Sequence, residues 1–281
     1  MTTSLKKVLA CGPAVVVSVM LTFVFGSVLP PLAGLAAFVI GLGVMLALLV
    51  GWGEPLASRL LFHARALNEA EIGTLAPAVA MLCQRGIPMG RLDVRVKRNA
   101  VPIAAVGVGR RTVVVSGGLM GAIRDEQLPV DQAAAVLGHC AGVVLSGAVR
   151  SDPALAYWTL PWQLTRALVG ALVQPFRRLP LAALAWRGRF VVALVAAVQS
   201  VIAEQLGVAG ALVTLCALSY LLGAGEGAWA ATLREIGDDR VRQAGLADAL
   251  ARLLLRCSSS AATHERVHAL TGPHRCHGWH W

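Results

Sequence analysis

Charge is what this sequence has least of. Charged side chains make up 14% of its 281 residues, where a soluble domain usually carries about 25%. Mean hydropathy is +0.68 and 57% of the residues are hydrophobic, so much of the surface must face something other than water. Lysine is almost missing: Lys6, Lys7 and Lys97 are the whole set, and the net charge of +10 comes nearly all from arginine. No basic run with interleaved aromatics is present, which excludes a nucleic-acid partner. The arginines flank apolar blocks instead, as membrane-edge charges do. Paired cysteine spacing is missing too. Cys11, Cys83, Cys140, Cys216, Cys257 and Cys276 are scattered, two of them inside apolar runs. A disulfide framework is excluded, and a reduced, cytoplasm-facing chain is the simpler reading.

The longest gap in charge runs from Val8 to Gly53. One membrane span needs about 20 apolar residues, so residues 1–53 are expected to hold two, turning at Pro30-Pro31 with Trp52 at an interface. Lys6-Lys7 before an apolar run also matches the start of a signal peptide. No small-x-small cleavage site follows before the second apolar block, so a retained span is preferred. Residues 54–152 read as a soluble segment. Leu67 to Gln84 looks helical, and Leu92, Val94 and Val96 alternate with charged residues as a half-buried strand does. Arg111 to Val115 is a second strand, ended by Gly117-Gly118, and Val130 to Gly147 is an alanine-rich helix.

In residues 153–188, Trp158, Trp162, Arg166, Arg177 and Arg178 punctuate an apolar stretch. That pattern fits a helix lying in the membrane interface, or one packed on the soluble segment. Within 189–225, Phe190–Ala203 and Leu206–Gly223 form an apolar pair joined through Glu204-Gln205, either spanning or re-entrant. Residues 226–257 are expected to close the soluble domain with a helix, and 258–281 form a histidine-rich tail. Basic residues flank the spans on one side only: Lys6 and Lys7, Arg59 and Arg65, Arg187 and Arg189, and Arg234. The positive-inside rule then predicts a multi-pass inner-membrane protein with both termini and the soluble segment in the cytoplasm.

Several stretches carry a resemblance, in this order. They are Leu75 to Pro88; Asn99-Ala100-Val101 with Gly107; Val113 to Leu119; Asp131 to Gly142, reading DQAAAVLGHCAG; Glu235-Ile236-Gly237-Asp238-Asp239; and Thr263-His264 with Arg266, Val267 and Leu270. Together they resemble the membrane zinc-metallopeptidase family of the heat-shock protease HtpX and the CAAX prenyl endoprotease, over roughly Leu67 to Leu270. The resemblance implies an α+β fold with about four transmembrane or re-entrant helices and a cytoplasmic gluzincin-like domain. It implies an HExxH helix with a downstream ExxxD, zinc as the cofactor, and peptide or membrane-protein segments as partners. It also implies that His139 and Glu235 occupy ligand positions. Asn99 would lie on a strand that pairs with extended peptide, and His264 near the scissile carbonyl.

The chemistry departs from that pattern. In an HExxH helix the two histidines, one turn apart, bind Zn²⁺ and the glutamate activates its water. Here the register reads His139-Cys140-Ala141-Gly142-Val143. Cysteine stands at the general-base position, and valine offers a metal no lone pair. Loss of a general base alone costs about 10²–10⁴ in rate. His139 reads either as a residual histidine at a helix contact or as a residual metal ligand. Glu235 and Asp239 read either as ligating residues or as a solvated, salt-bridged helix face beside Arg234 and Arg240. Cys140 reads as a small buried hydrophobe.

A literal HExxH occurs elsewhere, as His264-Glu265-Arg266-Val267-His268, with His274 at the third-ligand spacing of metzincins. Pro273 would end that helix, and a cleft around it is not expected. Transition-metal binding by the histidine-rich tail, or a functionally silent tail, are the readings left. Three functions remain in view: an inactive pseudopeptidase that binds peptide, a zinc endopeptidase with an altered ligand set, and a metal-responsive membrane sensor.

Overall fold

The computed structural model describes residues 3–97, 102–174 and 188–272. Asn99, Arg177, Arg178, Arg187 and the tail from Pro273 onward, His274 included, lie outside the described residues. The fold is mixed and mostly helical, with one four-stranded sheet. By their internal contacts the residues form two units, 1–45 with 155–231 and 46–154 with 232–281.

The first unit is helical. Helix α1 (Thr3–Gly26) carries the lysine pair near its start, and α2 (Pro31–Val50) begins with proline at its first position, where the missing N–H costs nothing. Both are long and apolar enough to cross a membrane, with mean hydropathies of 2.4 and 2.6. Phe23 and Phe38 stack across the pair, their ring centroids 5.8 Å apart. Further on lie α7 (Asp152–Trp158) and α8 (Leu160–Val173), the latter packed on α1. α8 leaves Leu164, Leu168 and Leu172 exposed at a spacing of four, an apolar stripe of the kind that meets lipid. Its Arg166 is paired with Glu226 at 3.0 Å.

α9 (Arg189–Ile202) is 14 residues long, about 21 Å against a hydrocarbon core of about 30 Å. α10 (Leu206–Gln243) is continuous over 38 residues. No break in the helix marks the expected boundary at 225/226 between a membrane hairpin and a closing helix, and the division between the two units, at 231/232, falls inside the same helix. No proline or left-handed residue interrupts the stretch, so the helix carries its apolar start straight into its polar end. The break comes later, at Gly245 (φ +68°), before α11 (Ala247–Cys257) and α12 (Ala261–Thr271).

The second unit holds the sheet. Between α3 (Glu54–Leu61) and α4 (Glu69–Gln84) lies the short strand β1 (Arg65–Ala66). Asn68 begins α4 with a reciprocal cap: its Oδ1 accepts from the Glu71 N–H (2.8 Å) and Glu71 Oε2 accepts from the Asn68 N–H (2.9 Å). Such a box satisfies two orphan amides. Strands β2 (Asp93–Lys97), β3 (Ala105–Val108) and β4 (Thr112–Ser116) follow, in the order β1-β2-β4-β3. β2 and β4 are parallel, while β1 and β3 run antiparallel to their neighbours.

Every residue of β4 is buried, because helices cover both of its faces. Val113 and Val115 face the main core with Leu82, Ile87, Leu119 and Leu137, and Val114 joins Ala64, Val108 and Phe62 in a smaller cluster. α5 (Gly117–Arg124) leaves β4 directly, capped by Ser116, whose Oγ accepts from the Leu119 N–H (3.1 Å). α6 (Val130–Leu145) is the central helix, buried from Gln132 to Val144 on most of its surface. Its alanines and glycines let it approach closely. A Cβ on Gly138 would sit 3.0 Å from Leu82, and one on Gly107 of β3 would sit 2.7 Å from Val144 of α6.

Candidate functional site

α6 presents His139 toward α10. The two helices approach through glycine on each side: a Cβ on Gly142 would run into Arg240, and one on Gly237 would overlap the His139 ring. With Gly237 making room, the next residue on α10 reaches the imidazole. Asp238 Oδ1 lies 3.0 Å from His139 Nδ1. The nitrogen makes no well-aligned hydrogen bond, so this is a close contact and not a directed bond.

Arg266 of α12 completes the group. Its Nε donates to Asp238 Oδ2 (2.8 Å) and its Nη2 to Oδ1 (2.7 Å), the two-pronged geometry in which arginine binds carboxylate most strongly. Asp238 itself is only 8% exposed. Burial pushes its carboxyl up, but the Arg266 guanidinium and then His139 more than offset this, holding it below the usual range. Three helices that are distant in sequence are thus joined by one buried carboxylate.

The phase of α10 reassigns the residues expected from the resemblance. Glu235 is exposed, and the carboxylate facing His139 is Asp238. Asp239 is paired with Arg242, one turn along the same helix. Arg240 instead reaches the Gly86 carbonyl and Gln243. Among the described residues no three of the His, Cys, Asp and Glu side chains come together as a metal-holding group.

The donors near His139 do not fit tetrahedral zinc. Both oxygens of Asp238 are engaged by Arg266, Val143 has no donor atom, and Cys140 is held as a neutral thiol. Burial is the main cause, and it outweighs the nearby Arg266 charge and the Gly107 amide; the thiol is pushed up to about 12. At pH 7 the group is therefore the thiol and not the thiolate. The thiolate is the nucleophile and the metal ligand, so Cys140 is chemically quiet and packs as a small apolar group.

The HERVH segment lies on α12. Its inward face is Arg266 with Leu270, which is 3% exposed. His264 and His268 point to solvent, and His264 Nδ1 lies 3.0 Å from the Ser260 carbonyl in the first turn. The motif therefore contributes an arginine anchor to the site, while its histidines stay outside. Sequence reasoning passed over Asp238 and Arg266 as a pair. Twenty-eight residues separate them, and no local spacing signals the contact.

The result is an α+β protein with two helices long and apolar enough to cross a membrane and a buried His–Asp–Arg contact where its central helix, its longest helix and α12 meet. Compared with known proteins, the chain matches no family model, no curated protein and no solved structure.

Proposed function

We propose that this chain is a multi-pass inner-membrane homologue of the HtpX-like metallopeptidases that binds unfolded or membrane-protein segments without cleaving them. The observation that carries the reading is the edge of β3. Among the described residues β3 is paired on one side only, to β4, and it lies against α6 through Gly107. Val106 at its centre is 57% exposed. An extended peptide can add to such an edge through main-chain hydrogen bonds, with no metal needed. Beside it, the buried neutral thiol and the Arg266-engaged carboxylate supply neither nucleophile nor base.

This activity requires no zinc, although zinc binding is possible. Both termini and the second unit face the cytoplasm, as the placement of arginine implies. Reporter fusions at Ser151 and at the C-terminus should both read as cytoplasmic, and a periplasmic signal at either would overturn that arrangement.

The test of function uses full-length protein in detergent. A labelled unfolded peptide should bind and remain intact, and Ala105→Pro should weaken binding about fivefold, since each edge hydrogen bond contributes about 1 kcal/mol. Chelator-sensitive cleavage by the wild type, lost on His139→Ala, would replace this reading with the zinc endopeptidase. A second reading, a metal-responsive sensor, is favoured by His264 and His268, exposed one turn apart on α12. Metal binding lost on His264→Ala with His268→Ala, without any peptide binding, would select it.

A further inference from the structure

The chain leaves α2 in a tight turn. Gly51 and Gly53 both adopt left-handed backbone (φ +97° and +77°), and α3 begins at Glu54, four residues after the apolar helix ends. The turn is fastened to the β3–β4 hairpin. Arg110 Nη2 donates to the Leu49 carbonyl (2.8 Å) in the last turn of α2, a favourable place for a cation at a helix C-terminus. Glu54 Oε1 accepts from the Arg110 N–H (3.0 Å), the Arg111 N–H (3.1 Å) and the Thr112 hydroxyl (2.8 Å). The hairpin tip is thereby held level with the end of α2.

α3 has two unlike faces. Ala57 and Ser58 are buried, and the helix packs on β4. The opposite face carries Leu56 and Leu60, one turn apart and 60% and 62% exposed, with Trp52 just before them at 76%. Arg59 on α3 and Arg111 at the hairpin tip are exposed and make no ion pair among the described residues. An apolar stripe edged by tryptophan and free arginines, fixed to the end of a membrane-crossing helix, matches a helix lying flat in the headgroup layer.

We infer that α3 is an interfacial helix that inserts Trp52, Leu56 and Leu60 into the bilayer surface and places Arg59 and Arg111 on the phosphates of anionic lipids. This rests on the reading of α2 as a membrane span. Its consequence for the proposed function is positional. The hairpin that carries β3 is held against the membrane, where it meets polypeptide leaving the bilayer before any segment free in solution.

The test places a reporter ten residues beyond the span, where span insertion alone does not carry it. Full-length Leu60→Trp protein is reconstituted in phosphatidylcholine vesicles, with or without about one part in three of phosphatidylglycerol. Its emission is compared with that of the wild type. Leu60 is exposed, so the substitution leaves the fold intact.

The added tryptophan should emit to the blue of a water-exposed indole. Acyl-brominated lipid should quench it about twofold or more in the anionic vesicles. In the same background, Arg59→Glu with Arg111→Glu should remove at least about half of that quenching. Emission as in water without quenching overturns the interfacial helix. Equal quenching with and without phosphatidylglycerol, or none lost on charge reversal, overturns the lipid-phosphate assignment. Alkaline extraction tests the span separately: protein released from the vesicles would remove the span, and the inference with it.

Discussion

Replacing Arg266 with methionine isolates the energetics of the three-helix contact. The apolar stem of the side chain is kept while the guanidinium goes, leaving Asp238 buried with only His139 opposite. Removing one partner of a buried ion pair costs about 3–5 kcal/mol. Arg266 keeps 23% of its side chain exposed and Asp238 11%, so water relieves part of this and about 2–3 kcal/mol is expected. For a unit of this size that is about 5–10 °C in Tm.

The pH dependence follows from the sign of the Asp238 shift. In the wild type its carboxyl is held low, so it contributes stability that is present above its unfolded pKa of about 3.9 and lost as pH falls through the lower folded value. In the variant, burial acts with less opposition and the carboxyl moves up. The charged form is then the disfavoured one, and the variant loses stability as pH rises through its new pKa. The gap between the two proteins should thus be widest near about pH 7 and should narrow toward about pH 4. Thermal unfolding of detergent-solubilised full-length protein at both values measures it. Hydrogen exchange of α12, which Arg266 anchors, should speed up in the variant. Adding Asp238→Asn should recover much of the loss, because a neutral amide needs no counter-charge. A gap of equal size at both pH values, or α12 exchange unchanged, would refute the placement of Asp238 as the buried carboxylate.

Three further outcomes are expected. With iodoacetamide at about pH 8, Cys83 and Cys257, both exposed, should be modified while Cys140 stays protected until unfolding; mass spectrometry of the labelled sites reads this directly. Glu54→Ala should strand two amides and a hydroxyl, costing about 2–3 kcal/mol, with proteolysis at the β3–β4 hairpin rising before any other site. Gly237→Ala should destabilise by at least about 2 kcal/mol because the new methyl meets the His139 ring. Gly227→Ala on the same helix meets nothing within 4 Å and should be neutral or stabilising by up to about 1 kcal/mol; equal Tm shifts for the two would contradict the close α6–α10 approach.

What could be read from sequence was what local physics decides. A charge-free run of the length of Val8 to Gly53, with two prolines in its middle, has few ways to satisfy its backbone other than two apolar helices; accordingly α1 ends before Pro30 and α2 begins at Pro31. Alternation at Leu92 to Lys97 and the valine run before Gly117 placed β2 and β4, because a period of two selects a pleated strand. The identity of the inward-facing groups was of another kind. Glu235 and Asp238 are three residues apart on one helix, and either satisfies a search for an acidic residue near His139. Only the glycine-to-ring approach at Gly237 turns Asp238 inward and leaves Glu235 in solvent.

Likewise, Arg266 lies within a segment that spells a zinc motif, yet its carboxylate is on another helix and its histidines face away. Periodicity shows that a helix has a face, but not which partner will cover it. The partner here comes from α6 and α12, brought together by packing across more than a hundred residues of chain. The chemistry of Cys140 was settled the same way: a thiol is reactive or inert according to the burial around it, and that burial exists only once β3, α6 and α12 have closed over the site.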